Sequence, residues 1–207
     1  MAHSSSKNVG ATVVTVIFAL LAFAAVFFLI WKVGQTRQQE QELQTEYEPT
    51  LELATEMKTS ATDLLKTDFE VLSLFYTKGL TYDAEPYNNL PEDGFYTCNS
   101  TKYTTYESVK TLVESTFVTE AAQKILSDPL GNGPTFGDDG GKLGLSSKFK
   151  PMEYTLSWES VSFQIEPVSD IQCNISITLK DADGKDKNVS GSMSKLNGKW
   201  LLDDIIY

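Results

Sequence analysis

An uninterrupted apolar run near the N-terminus places the strongest constraint on this chain. Residues 11–31 carry no charged side chain, and only Thr12 and Thr15 are polar. At 1.5 Å per residue, these 21 residues are long enough to cross about 30 Å of hydrocarbon. Trp31 closes the run, where an aromatic ring prefers the membrane interface. The run predicts a transmembrane helix over residues 11–33, after a short tail at residues 1–10.

A cleaved signal peptide is the competing interpretation of this run. Its apolar part is about 7–15 residues long and ends at a small-residue cleavage site. The small residues Ala22, Ala24 and Ala25 are instead followed by six more apolar residues. A buried core helix is the other alternative, but such a helix is rarely apolar on all sides. We therefore expect an uncleaved, single-pass anchor.

The charges flanking the anchor are almost balanced, with Lys7 on one side and Lys32 and Arg37 on the other. We expect the N-terminus inside the cell membrane and the domain outside, because the tail is short and the remainder is large and acidic. Residues 34–49 are mostly good helix formers with hardly any apolar face. They predict a solvated helical stalk, through which the chain could oligomerise, although it has too few heptads to indicate a coiled coil.

Charge and histidine content exclude several functions for the remaining domain, residues 50–207. The net charge is −11, from 17 basic and 28 acidic residues, so we expect no nucleic acid as a partner. Anionic headgroups would also repel the domain, so it should not lie flat on the bilayer. The one histidine is His3, in the tail. The domain therefore lacks histidine-based triads and metal sites, and we expect neither an enzyme, a metal nor a cofactor.

Helical periodicity dominates the first half of this domain. Apolar residues recur every three or four positions and predict a long helix that ends at Gly79; they are Leu53, Met57, Ala61, Leu64, Leu65, Phe69, Leu72 and Phe75. Thr104-x-x-Glu107 reads as a capping box for a second helix, and Thr119 as the cap of a third. Residues 80–103 read as an irregular connection.

Strand periodicity dominates the second half. The glycine-rich residues 130–147 predict a loop or weak hairpin. Alternation changes phase near Glu159-Ser160, which indicates a bulge, and then runs cleanly from Ile171 to Leu179. Asn197-Gly198 predicts a tight hairpin turn before a last strand at residues 199–207. The fold class is therefore α+β, with helices packed on one face of a curved antiparallel sheet.

This order of elements, closing on Asn-Gly-Lys-Trp-Leu-Leu-Asp-Asp-Ile-Ile-Tyr at residues 197–207, resembles the nuclear-transport-factor-2-like superfamily. Those domains are cones in which a bent sheet wraps a long helix. The resemblance covers about residues 60–207 and implies a fold rather than a function.

A narrower likeness concerns residues 106–122. Tyr-Glu-Ser-Val-Lys-Thr-Leu-Val-Glu-Ser-Thr-Phe-Val-Thr-Glu-Ala-Ala, with the later Gly141-Lys-Leu, resembles bacterial extracytoplasmic domains of the IseA type. That family inhibits DL-endopeptidases of the cell wall. Val118 departs from its pattern, and so does a membrane anchor in place of a cleaved export signal. The likeness therefore assigns no inhibitory residue to this chain.

Each candidate site residue could also have a purely structural role. The aromatic residues Tyr96, Tyr103, Tyr106 and Trp158 could line a pocket or belong to the core. Asp204 could point inward from the last strand and act as a base, or lie at the rim.

The two cysteines, Cys98 and Cys173, could form one disulfide or remain core thiols. A disulfide over so long a loop would contribute about 4 kcal/mol in the chain-entropy model.

Three functions fit these features. The expected one is a membrane-anchored binding or regulatory module of the bacterial cell surface, with a protein partner in the envelope such as a wall peptidase. The second is a scaffold subunit of a conjugation or type IV secretion-like complex. The third, an isomerase or dehydratase using a pocket carboxylate, is disfavoured by the absence of histidine from the domain.

Overall fold

The structure is a computed structural model that describes residues 47–82 and 94–207. The predicted tail, the predicted transmembrane helix and all but the end of the predicted stalk lie outside those residues. Within them, no helix combines the length and the apolar character needed to cross a bilayer. The described part of the chain has the expected α+β architecture, with helices and a strongly curled antiparallel sheet.

The long amphipathic helix forms as predicted. Helix α1 spans Leu51–Leu72 and begins at Thr50, whose side chain accepts a hydrogen bond from the Leu53 backbone nitrogen at 3.3 Å. It continues as one π-helical turn, Ser73–Thr77. Gly79 then ends the helical path with φ +66° and donates its N–H to the Ser73 carbonyl at 3.2 Å.

A small sheet and two short helices follow. Strand β1 (Phe95–Thr97) lies in a segment that the sequence indicated to be irregular. Helix α2 spans Tyr106–Thr116 and α3 spans Thr119–Ser127. The cap of α2 is Thr105, which accepts from the Ser108 nitrogen at 3.3 Å, so the predicted capping box at Thr104 was one residue early. Val118 occupies the cap position of α3 without a side-chain hydrogen bond, so Thr119 is not its cap.

The glycine-rich residues 130–147 were predicted to form a loop or weak hairpin, and the structure has a hairpin over residues 136–146. Strands β2 (Phe136–Asp139) and β3 (Lys142–Ser146) pair antiparallel, and β1 adds to β3, giving the order β1-β3-β2. Phe95 lies across this sheet, and a Cβ at Gly137 would come within 2.4 Å of its ring. Glycine is therefore required at this position because the ring takes the space of a side chain.

The larger sheet is an antiparallel meander in the order β4-β5-β6-β7. Its strands span Ser157–Ser169, Gln172–Lys180, Asp186–Leu196 and Lys199–Leu202. The predicted bulge appears as a register jump between Ser157 and Ser162. Asn197 and Gly198 both have positive φ, 52° and 79°, as the predicted Asn-Gly turn requires.

One hydrophobic cluster joins α1 to the inner face of the larger sheet. The fully buried members include Met57 and Ala61 on the helix and alternate residues of β5, namely Cys173, Ile175, Ile177 and Leu179. Met193 and Leu202 extend the same face across β6 and β7. The helix thus fills the concave side of the sheet, while the intervening strand residues face solvent.

The last strand is shorter than predicted. Strand β7 ends at Leu202, and Asp203-Asp204 form a bend that turns the chain back over α1. The backbone nitrogen of Ile206 then donates a hydrogen bond to Asp68 on α1 at 3.1 Å. Ile206 also packs so tightly on β6 that a Cβ at Gly191 would lie 2.5 Å from its Cδ1. Residues 203–207, the C-terminal strap, close this side of the core.

We predict that Gly79→Ala destabilises the domain more than Gly184→Ala. Both positions have positive φ, +66° and +77°, which costs an alanine about 1–2 kcal/mol. Only at Gly79 does the new methyl group meet a neighbour, the Phe149 ring at 2.8 Å, whereas Gly184 faces open space. Urea denaturation should show a loss of about 2–4 kcal/mol for the first variant and about 1 kcal/mol for the second. Equal losses would contradict the packing of Phe149 on Gly79.

Candidate functional site

An apolar groove lies on the surface between α1 and β4. Its volume is about 280 Å³, and its lining residues are Thr62, Leu65, Lys66, Phe69, Trp158, Val161 and Phe163. Phe69 and Val161 leave 39% and 36% of their surface exposed, which is high for apolar residues that face each other across a cleft. We call this feature the α1–β4 groove.

The β4 bulge places the aromatic wall of the groove. Residues between Ser157 and Ser162 leave the regular register with β5, and Trp158 falls within this stretch. Its ring stacks on Phe69 of α1, with ring centroids 5.3 Å apart and planes inclined by 28°. A helix side chain and a strand side chain thus form one continuous apolar wall.

A side-chain hydrogen bond fixes the orientation of the Trp158 ring in that wall. The indole Nε1 of Trp158 donates to the Tyr154 hydroxyl at 2.8 Å. Burial raises the pKa of Tyr154, so its hydroxyl is neutral at physiological pH. The indole is therefore held in one orientation, which reduces the side-chain entropy lost when a ligand packs on it.

The rim of the groove carries little charge. Lys66 forms an ion pair with Asp63 at 3.4 Å, with both side chains about three-quarters exposed, at 73% and 74%. The remaining lining consists of one threonine and apolar side chains. Such a surface can bind apolar groups. Its two reactive side chains are the Thr62 hydroxyl, which donates to the Lys58 carbonyl at 2.8 Å, and the solvated Lys66 amine, and no activating base is among the lining residues.

A buried carboxyl group lies on the opposite side of α1 from solvent. Asp68 is fully buried; its Oδ1 accepts the hydrogen bond from Ile206, and its Oδ2 has no hydrogen-bond partner among residues 47–82 and 94–207. Burial and then the charge of Asp204 raise its pKa well above the ordinary value of 3.8, against the lowering effect of the Ile206 hydrogen bond. The carboxyl group therefore keeps its proton to a higher pH than an exposed aspartate.

Sequence reasoning missed Asp68, although a signal was available. Asp68 follows Leu64 and Leu65 at helical spacing and precedes Leu72, so it falls on the buried stripe of α1. Phe69 was predicted to be buried and instead faces the groove. The polar residue and the aromatic residue have exchanged the positions that hydrophobicity alone assigns to them.

The other predicted site residues lie in different parts of the domain and do not form one site. Trp158 is the only one of the five that lines the groove. Tyr96, on β1, stacks on Tyr82 with centroids 4.7 Å apart. Tyr103 is buried with 6% exposure, and the half-buried Tyr106 opens α2.

Asp204 does not point into the core. It is exposed, its Oδ1 accepts a hydrogen bond from the Ile205 nitrogen at 2.8 Å, and Lys124 lies 3.8 Å from its Oδ2. The inward orientation was inferred from strand alternation, which stops at Leu202 because the chain bends. The inward carboxyl group of this region is Asp68.

Both cysteines are free thiols in the structure, Cys98 half-buried and Cys173 fully buried. Burial raises the pKa of each to about 11. A thiol with so high a pKa is a poor nucleophile at neutral pH, which fits a packing role for Cys173 within the β5 alternation.

Comparison with known proteins does not assign the chain to a family. No protein-family model matches the sequence, and no curated protein is significantly similar to it. The resemblance to nuclear-transport-factor-2-like domains and to the IseA type therefore stays a prediction.

We predict that Asp68→Asn makes the domain less sensitive to rising pH. The unfolded aspartate ionises near pH 4, whereas the folded one stays protonated, so wild-type stability falls from about pH 4 up to the raised pKa. Asparagine keeps the acceptor for Ile206 and does not titrate. Thermal melts should show the difference in melting temperature between variant and wild type moving in the variant's favour as the pH rises from 4 to 8, whatever constant offset the buried amide adds. Parallel melting curves across that range would contradict the burial of an Asp68 that stays protonated.

Proposed function

We propose that this protein is a membrane-anchored binding module of the bacterial cell surface, and that the α1–β4 groove holds a protein partner outside the membrane. The observation that carries the proposal is the exposed Phe69–Trp158 stack with Val161 beside it. Aromatic side chains are enriched at protein interfaces, and tryptophan is among the residues that most often dominate their binding energy.

The size and openness of the groove favour a protein over a small molecule. Its volume of about 280 Å³ is slightly below the range of roughly 300–1,000 Å³ typical of small-molecule sites. It is also bordered by β4, the end strand of its sheet in the described part of the chain. A partner can therefore insert one large apolar side chain and align its backbone beside β4.

The IseA-type likeness suggests the class of partner, a DL-endopeptidase of the cell wall. Such an enzyme works outside the membrane, where the predicted orientation places this domain. The chain's net charge of −11 adds long-range attraction towards a partner with a basic surface. The predicted anchor over residues 11–33 keeps the module in the space where the enzyme acts.

The test is an inhibition assay with the full chain in detergent micelles. We expect wild type to slow cleavage of wall peptides by a DL-endopeptidase and Val161→Asp to weaken this inhibition at least about tenfold, since a carboxylate would be buried on binding. The matched control is Ser176→Asp, on the neighbouring strand β5, because Ser176 is exposed on the solvent face of the sheet and lies outside the groove.

Three outcomes decide the proposal. Loss of inhibition in the first variant alone supports binding through the groove. Equal loss in both variants contradicts the groove as the binding site, provided that circular dichroism shows both to be folded. No inhibition by wild type contradicts the peptidase as partner.

A further inference from the structure

Exposed hydrophobic side chains concentrate at one end of the domain. The described residues include eight large hydrophobic side chains with substantial exposure, and two of these, Phe69 and Val161, belong to the groove. Four others are aliphatic and belong to the end of the domain where α1 begins. We call them the aliphatic tip: Leu51 (86% exposed), Val168 (45%), Ile171 (60%) and Leu196 (45%).

Backbone and side-chain contacts bring these four residues to the same end. The Tyr47 hydroxyl donates to the carboxylate of Asp170, in the turn between Val168 and Ile171, which ties that turn to the start of α1. The Ile171 carbonyl accepts from the Lys195 nitrogen at 2.8 Å, and Leu196 is the next residue. One turn into α1, Glu56 pairs with Lys195 at 2.6 Å.

The fold does not need aliphatic residues at these positions. Hairpin ends favour small and polar residues, and the exposed flank of a first helical turn favours acidic or polar ones. Ile171 continues the inward alternation of β5 by one step, yet it is 60% exposed, because it lies beyond the buried part of the core. Four aliphatic side chains that contribute little to the core are available for another contact.

We propose that the aliphatic tip rests in the interface of the same lipid bilayer that the anchor crosses. The chain enters the domain at Tyr47, whose hydroxyl donates to Asp170 in the turn between the tip residues Val168 and Ile171. Fifteen residues, 32–46, separate Tyr47 from the apolar run and reach about 22 Å as a helix or about 50 Å when extended. The aliphatic tip therefore lies at the point where the chain from the predicted anchor enters the domain.

The charged residues near the tip determine which lipid headgroups it can approach and how the domain is oriented on the bilayer. The acidic residues adjacent to the tip in sequence or by contact are Glu48, Glu52, Glu56 and Asp170, and the basic ones are Lys195 and Lys199. The acidic excess means that anionic headgroups oppose the contact. A zwitterionic surface does not, and end-on docking keeps most of the acidic domain away from the bilayer. The proposed surface is therefore a zwitterionic interface that takes up the aliphatic side chains and leaves the carboxylates in water.

This inference rests on the anchor of the proposed function, and the experiment separates the two. The full chain is reconstituted in phosphatidylcholine vesicles with an environment-sensitive fluorophore on Val168→Cys, and on Val161→Cys as the matched control from the same strand. The unsubstituted chain gives the background labelling of Cys98 and Cys173. Flotation reports the anchor, and quenching by lipids spin-labelled near the headgroup reports the tip.

We expect the chain to float with the vesicles, and the fluorophore at position 168 to lose most of its emission to the lipid quencher, while the one at 161 does not. Replacing half of the phosphatidylcholine by phosphatidylglycerol should reduce the quenching at 168. A chain that does not float contradicts the anchor. If the chain floats but aqueous iodide quenches the fluorophore at position 168, the tip does not contact the bilayer. If neither iodide nor the spin-labelled lipid quenches that fluorophore, the tip contacts another copy of the chain instead of the bilayer.

Discussion

The packing of one face of α1 into the concave side of the larger sheet is the interaction on which the rest of this domain depends. The buried residues of α1 recur every three or four positions and meet the alternate residues of β5, β6 and β7 in one cluster. Each large aliphatic side chain buried in this way contributes about 1.5–3 kcal/mol. The order of the strands and the return of the C-terminal strap over α1 both serve to close this contact.

The same packing determines which flank of α1 remains exposed to solvent. The sheet follows the helix until the β4 bulge, where the strand leaves its register with β5 and exposes the flank of α1 that carries Phe69. One turn of the helix therefore presents Asp68 to the core and Phe69 to solvent. The buried carboxyl costs stability above about pH 4, since the unfolded chain ionises more readily. That cost is linked to the strap, because Asp68 accepts the backbone hydrogen bond of Ile206.

Much of the fold could be predicted because its signals are local. The spacing of apolar residues located α1, alternation located β5, and Asn197-Gly198 located the final turn with both residues at positive φ. The site could not be predicted in the same way, since it depends on how far the sheet curls. Periodicity assigned Phe69 to the core and gave no account of Asp68, and the bend after Leu202 reversed the expected direction of Asp204.

Hydrogen exchange tests most directly whether the α1–β4 groove is the surface that binds the partner. The full chain in detergent micelles would be compared by mass spectrometry with and without a cell-wall DL-endopeptidase. We expect slower exchange confined to residues 62–69 of α1 and 157–163 of β4, the two segments that line the groove. Unchanged exchange there, with protection on the solvent face of β5 and β6 instead, would contradict it.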